Sequence, residues 1–314
     1  MMWRLLVLLV KSICGGKMIV AHLTDGLGNQ MFQYALAKAL AIQNNTDIIF
    51  DMSWYEINKY RGRRLYQLDI FPMNCHKVNE AGKCWDFALK YLHFTRNIFR
   101  HKSNSKIRSL LGPTGVSIKE KSPDYDSTVP EVAKDKNVCL TGYWQSEKYF
   151  SHIRKELLSD FRFLPELEGK NLSVSQQIQN CANSVALHIR RGDYIATDFD
   201  VCGLDYYQKA IKYITEKVGD IQLFVFSNDI LWAKENLKTD QEINFVDNNT
   251  EEKGYEDMRL MSLCRHHIIA NSSFSWWGAW LGTAEDKIVV APKKWMANEQ
   301  SGHEDIVPSE WIRL

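Results

Sequence analysis

The chain has 314 residues, 45% of them hydrophobic, with 39 basic against 38 acidic side chains and a net charge of +1. That length buries two medium domains or one large one, and so even a charge excludes a general nucleic-acid binder, which carries a basic excess. Seven cysteines, spread along the chain without a CxxC pair, exclude a zinc ribbon or a disulfide framework and read as reduced thiols of a reducing compartment.

At the N-terminus, the apolar run Leu5 to Val10 is cut by Lys11. A spanning helix needs roughly 20 apolar residues, so residues 1–17 are expected to be an extension ahead of the fold. A first strand follows at Ile19 to Leu23. The loop "TDGLGNQMFQYA" then offers Asp25, Gly26, Gly28, Asn29 and Gln30. It is not GxGxxG, and no acidic residue follows at the spacing of a dinucleotide fingerprint, so a dinucleotide cofactor is not expected. Its glycines let backbone approach a ligand, and Asn29 and Gln30 offer hydrogen bonds suited to a sugar. "QMFQYALAKALAIQ" has helical periodicity and "DIIFD" reads as a second strand. The segment Tyr55 to Lys106 is irregular, basic and aromatic. "NVCLTGYWQSEKYF" reads as strand, turn and helix start. These elements form an N-terminal domain over 18–150.

From 151 to 314 the texture changes. "SVALHIRR", "IQLFVFSND", "EINFVDN", "HHIIAN" and "KIVVAP" are five short apolar runs with helical patterns between them. Buried strands alternating with helices predict an α/β domain with a parallel sheet covered on both faces. Ligands of such sheets sit beyond the carboxyl ends of the strands, so the polar residues there carry the function.

At the first of these ends stand Arg190 and Arg191. Arginine's planar fork of donors matches phosphate oxygens, and two guanidiniums at one strand end repel unless an anion lies between them. A diphosphate is the expected anion, against a plain salt-bridged turn. Asp193 is placed to hold one guanidinium. At the next end, Ser227, Asn228 and Asp229 read equally as a helix cap or as ligand contacts. Asn271, Ser272, Ser273 and Phe274 open a helix whose free N–H groups suit phosphate. Asp257, early in the preceding helix, either accepts from a guanine edge or favours the helix dipole. Trp276, Trp277 and Trp280 have helical spacing and are expected to pack rather than stack on ligand. Two DxD triplets, 124–126 and 198–200, raise the question of a metal. Two arginines already neutralise a diphosphate, so none is expected.

"GLGNQMFQYA", "HIRRGDY", "FSND" and "NSSFSWWGAWL", in this order, resemble glycosyltransferase family 11, the α-1,2-fucosyltransferases, in a bacterial form. The resemblance runs from about Met18 to Leu314. It implies two Rossmann-like domains facing across a cleft (GT-B type) and GDP-fucose as co-substrate. It also implies metal-independent inversion and a galactose-terminated oligosaccharide acceptor. By position it implies Arg190 and Arg191 on the diphosphate, His188 beside the nucleotide, and Asp257 reading guanine. Asp198 would be the base, with Asp193 second. The C-terminal domain would bind GDP-fucose and the N-terminal one would face the acceptor. Eukaryotic relatives carry a membrane anchor and stem that this chain lacks, which favours a cytoplasmic enzyme. Lys59, Arg61, Arg63 and Arg64 leave peripheral contact with a membrane, or with an acidic glycan, open. Two rivals stand beside this reading: a transferase for another nucleotide sugar, and a carbohydrate-binding protein without catalysis, suggested by ten tryptophans and thirteen tyrosines.

Overall fold

The computed structural model describes residues 17–52, 54–55, 65–73, 115–298 and 303–314. Residues 1–16 of the expected extension over 1–17, most of the irregular segment 55–106 with its basic cluster, and Cys14, Cys75 and Cys84 lie outside the described residues. The chain divides into two compact units, Met1–Arg162 and Phe163–Leu314.

The N-terminal unit contains β1 (Met18–His22), α1 (Leu27–Asn44), β2 (Asp47–Asp51), β3 (Val116–Lys119), α2 (Thr128–Ala133), β4 (Val138–Thr141) and α3 (Arg154–Asp160). Among the described residues its strands are all parallel, in the order β2-β1-β4-β3. Helix α1 is Ala- and Leu-rich and buried over most of its length, as expected of a crossover helix laid on a sheet. It stops at Asn45, whose left-handed φ of 46° is tolerated by a short polar side chain. Strand β3 went unnoticed in the sequence because only Val116 and Ile118 alternate there, between loops.

The unit boundary falls after Arg162, not after Phe150, and packing explains the correction. Tyr34 of α1 donates to Asp160 of α3 (2.7 Å), Lys38 pairs with the same carboxylate (2.8 Å), and the Phe161 ring lies 5.5 Å from Tyr34. This buried carboxylate has both partners in the N-terminal unit, so α3 belongs there.

The C-terminal unit contains α4 (Gly169–Asn180), β5 (Ser184–Ile189), α5 (Leu204–Val218), β6 (Gln222–Ser227), α6 (Ile230–Asn236), β7 (Glu242–Val246), α7 (Gly254–Leu263), β8 (His266–Ile268), α8 (Ser273–Leu281), β9 (Val289–Ala291) and β10 (Ile312–Arg313). The order is β10-β9-β8-β5-β6-β7, all parallel. All five expected strands are present; β10 adds a two-residue edge with no apolar run to announce it. Strand β5 is buried at every residue, the mark of a central parallel strand with helices on both faces. The α/β class and the two Rossmann-like domains are thus observed. Trp276, Trp277 and Trp280 are buried against one another as packing residues. Among the described residues no helix is long and apolar enough to cross a membrane.

Candidate active site

Parallel pairing of β5 with both β6 and β8 brings the ends after Ile189, Ser227 and Ile268 to one edge of the sheet. Arg190 Nη2 donates to Asp193 Oδ2 (2.7 Å), the clasp expected of Asp193. The Arg191 guanidinium lies 3.8 Å over the Trp232 ring, with Asp229 Oδ2 3.6 Å from its Nε. Both Nε atoms are buried and, among the described residues, neither has a hydrogen-bond partner. A buried N–H of a charged group left without a hydrogen bond costs about 1–3 kcal/mol or more, so each of these guanidiniums has donor capacity to spare. Trp232 was not singled out in the sequence; its spacing in "DILWAKENL" reads as ordinary helix packing.

The Ser227–Asp229 corner takes the capping role. Ser227 Oγ accepts from Asp229 N–H (2.9 Å), and Asp229 Oδ1 caps α6 by accepting from Trp232 N–H (3.3 Å). Asn228 Oδ1 accepts from Arg191 N–H (2.9 Å), which ties β6 to the arginine loop. Gly192 is needed there for the protein's own packing: its φ is +20°, and a Cβ would lie 2.5 Å from Asn228 Nδ2.

His188 is buried beside Phe274 (ring centroids 5.8 Å apart), and its Nδ1 has no partner among the described residues. Burial, reinforced by Arg190, holds its pKa down to about 3, so the ring is neutral. Asn271 departs from a donor-contacting role. It is buried and its Nδ2 donates to the carbonyls of Phe199 (3.0 Å) and Trp295 (2.8 Å), so it anchors the 199 loop from inside. Ser272 caps α8 at Phe274 N–H (3.4 Å), and Ser273 and Phe274 are half-buried at the helix mouth.

Asp257, half-buried near the start of α7, receives Asn249 Nδ2 at Oδ1 (2.6 Å). Asn249 is fixed in turn by reciprocal bonds with Asn171 of α4 (2.8 and 3.0 Å). Among the described residues no hydrogen bond reaches Asp257 Oδ2. Desolvation, with Glu256 adding to it, raises its pKa to about 6 against the pull of Asn249. The asparagine cluster left no motif in the sequence, since Asn171 and Asn249 meet only through the fold. Asp198 is exposed; its Oδ1 accepts from Asn298 (2.6 Å) and its carbonyl from Ala297 N–H (2.7 Å). In the other DxD triplet, Asp126 caps Thr128 (2.9 Å). Among the described residues no three His, Cys, Asp or Glu side chains are grouped to hold a metal ion.

In the N-terminal unit, Asp25 sits at φ +60° with its carbonyl accepting from Gln30 (2.9 Å) and Tyr55 (2.8 Å). Gln30 does not face a ligand: it is fully buried, and its amide clamps Asp25, Leu65 (2.9 Å) and Gln67 (2.9 Å). Gly26 is the N-cap of α1 and Gly28 lies buried in its first turn, while Asn29 accepts from Gln145 Nε2 (2.7 Å). At the neighbouring ends of β1 and β2, His22 Nδ1 and Asp51 Oδ2 are 2.7 Å apart.

The chain is similar in sequence to known proteins. A family described as glycosyl transferase family 11 matches residues 18–314. An alpha-1,2-colitosyltransferase of Escherichia coli is 34% identical over 307 residues, 94% of this chain and 98% of that protein. The O-antigen biosynthesis glycosyltransferase WbnK of Escherichia coli is 35% identical over 309 residues, 93% and 99% of the two chains. Galactoside alpha-(1,2)-fucosyltransferase 2 of Bos taurus is 27% identical over 158 residues, 47% of this chain and 46% of that one.

Proposed function

Since the chain belongs to glycosyl transferase family 11, we propose that it transfers L-fucose from GDP-β-L-fucose to the 2-hydroxyl of a terminal β-galactoside. The transfer inverts the anomeric carbon and needs no metal. The observation that carries this reading is the pair of arginines, Arg190 and Arg191, at the carboxyl end of β5, whose buried Nε–H groups make no hydrogen bond among the described residues. Breaking the bond between fucose and phosphate leaves positive charge on the ring and negative charge on GDP. Fixed donors aimed at the leaving group stabilise that separation without reorganising. The Asp193 and Trp232 contacts hold the two guanidiniums in advance.

The Ser272–Ser273 helix mouth supplies further N–H groups for a phosphate, and neutral His188 keeps an uncharged contact beside the nucleotide. Asp257 Oδ2 is left to accept from the guanine Watson–Crick edge. The attacking hydroxyl loses a proton, and we assign its acceptance to Asp198, whose Oδ2 has no protein partner among the described residues; Asp193 is engaged with Arg190. The two arginines already balance the diphosphate charge, which is why no divalent ion is needed.

The whole-length likeness to a colitosyltransferase supports a second donor reading, because colitose is fucose without its 3-hydroxyl. A transfer assay with lactose decides between them, run with GDP-fucose or GDP-colitose and followed by linkage analysis. We expect GDP release and a fucosyl product that persists in EDTA. Arg190→Ala should lower turnover on the order of a hundredfold or more, while Asp198→Asn keeps GDP affinity and loses turnover. Preference for GDP-colitose, loss of activity in EDTA restored by manganese, or an Arg190→Ala enzyme within a few-fold of wild type would each overturn the corresponding part.

A further inference from the structure

We propose that the carboxyl edge of the N-terminal sheet is a pyranose-binding site whose platform is the ring of Tyr143. This rests on the reading above only for the identity of the sugar, a terminal galactoside.

Tyr143 follows β4 and is 43% exposed. An exposed loop tyrosine is ordinarily free to turn, but three separate devices hold this one. Its hydroxyl donates to Asp25 Oδ2 (2.6 Å). Its own N–H and that of Trp144 donate to the two oxygens of Glu120 (2.7 Å each). Gly142 before it has no room for a Cβ, which would collide with Glu120. Two residues of this small assembly, Asp25 and Trp144, take left-handed φ values of 60°. Non-glycine residues hold such angles at a cost of order 1–3 kcal/mol each, and only where their surroundings over-determine them. Trp144 is buried, which anchors the loop while leaving its neighbour outside.

The chemistry around the ring suits an uncharged sugar. The apolar face of a pyranose packs on an aromatic ring, and its hydroxyls take hydrogen bonds from the rim. Two residues along the chain from Tyr143, Gln145 Nε2 donates to Asn29 Oδ1 of the loop that also carries Asp25. Among the described residues this leaves Asn29 Nδ2 as a donor and Gln145 Oε1 as an acceptor. The charged groups next to the ring, Asp25 and Glu120, are carboxylates, so a phosphate-bearing ligand is disfavoured there. A nucleobase would bring its phosphates with it. A galactoside would not.

The test measures KM for lactose and for GDP-fucose, with GDP affinity by calorimetry, in wild type and in Tyr143→Ala, Tyr143→Phe and Tyr143→Trp. Alanine is expected to raise KM for lactose about tenfold, with KM for GDP-fucose and GDP affinity unchanged. Phe and Trp, which keep a ring, should stay within about threefold of wild type on the same scale. An unchanged lactose KM in Tyr143→Ala, or an equal loss in all three variants, overturns the proposal. Saturation-transfer NMR with methyl β-galactoside separates it from the donor reading. Transfer to the sugar with wild type and none with Tyr143→Ala upholds the platform even if GDP does not bind. No transfer with wild type overturns the platform even if it does.

Discussion

At the scale of the residue, Asp257 is pulled in two directions. Burial and Glu256 favour its protonated form, while the bond from Asn249 favours the carboxylate, and burial wins: the pKa rises from 3.8 to about 6. Because the folded value lies above the unfolded one, this group favours folding most below pH 3.8, and the contribution is lost as pH rises through about 6. At pH 7.5 the ionised side chain is therefore a burden on the fold, tolerated for what it binds. Asp257→Asn is expected to raise the melting temperature by a few degrees at pH 7.5, with the gain shrinking as pH falls through about 6 and gone below 3.8. GDP affinity should fall about tenfold in the same variant, and in wild type it should weaken as pH drops through about 6. Thermal unfolding and calorimetry across that range check both signs; a variant less stable at pH 7.5 would contradict the first. Arg190 and Asp193 were legible because their contact spans three residues of sequence, and Arg191 because it stands beside them at the end of an apolar run. Asn171, Asn249 and Trp232 were not, since each meets its partner only after strands have been laid side by side.

At the scale of the element, α7 and α8 decide where Asp257 and the Ser272–Ser273 mouth stand. The two helices approach closely because Gly278 of α8 faces Met261 of α7: a Cβ there would lie 2.9 Å from Met261 Cβ and 3.0 Å from its Sδ. Filling such a contact forces backbone to move, at typically 1–3 kcal/mol. Gly278→Ala should lower the melting temperature by several degrees and also raise KM for the GDP-sugar, because the helix that opens at Ser273 is pushed off α7. A fall in stability with an unaltered KM would show that the pair does not set the site. Elements of this kind were readable where hydrophobic period was strong: α1, α5, α7 and the five apolar strands. They were missed where side chains carry little period, as in the short β3 and β10, or where a few apolar residues suffice for a peripheral helix, as in α4. The boundary at Arg162 escaped because one ion-paired carboxylate, Asp160, assigns α3 to its unit, and no composition shift marks that.

At the scale of the whole molecule, the two units differ in how acid acts on them. The C-terminal sheet buries His188 on β5 and His266 and His267 on the adjacent β8. Burial lowers all three pKa values, to about 3 for His188 and well below the ordinary value for His267, where Lys287 adds to the effect. Folded values below the unfolded 6.5 mean stability that is present above pH 6.5 and lost as pH falls. By pH 5 the unfolded chain's preference for the imidazolium costs roughly 2 kcal/mol for His188 alone. His266 and His267 act in the same direction, and the opposing gain comes from the raised carboxyls of Asp257 and Glu256. In the N-terminal unit, Glu120 is shifted upward by desolvation, so it favours folding on the acid side. Acidification from pH 7.5 to 5 should therefore loosen the C-terminal unit first. Hydrogen exchange corrected for intrinsic rates should lose protection at residues 184–189 and 266–268 before residues 18–22 and 138–141. Replacing His267 by a neutral side chain of similar size, His267→Gln, should reduce that acid sensitivity; equal loss across both sheets would mean that the buried histidines do not govern it.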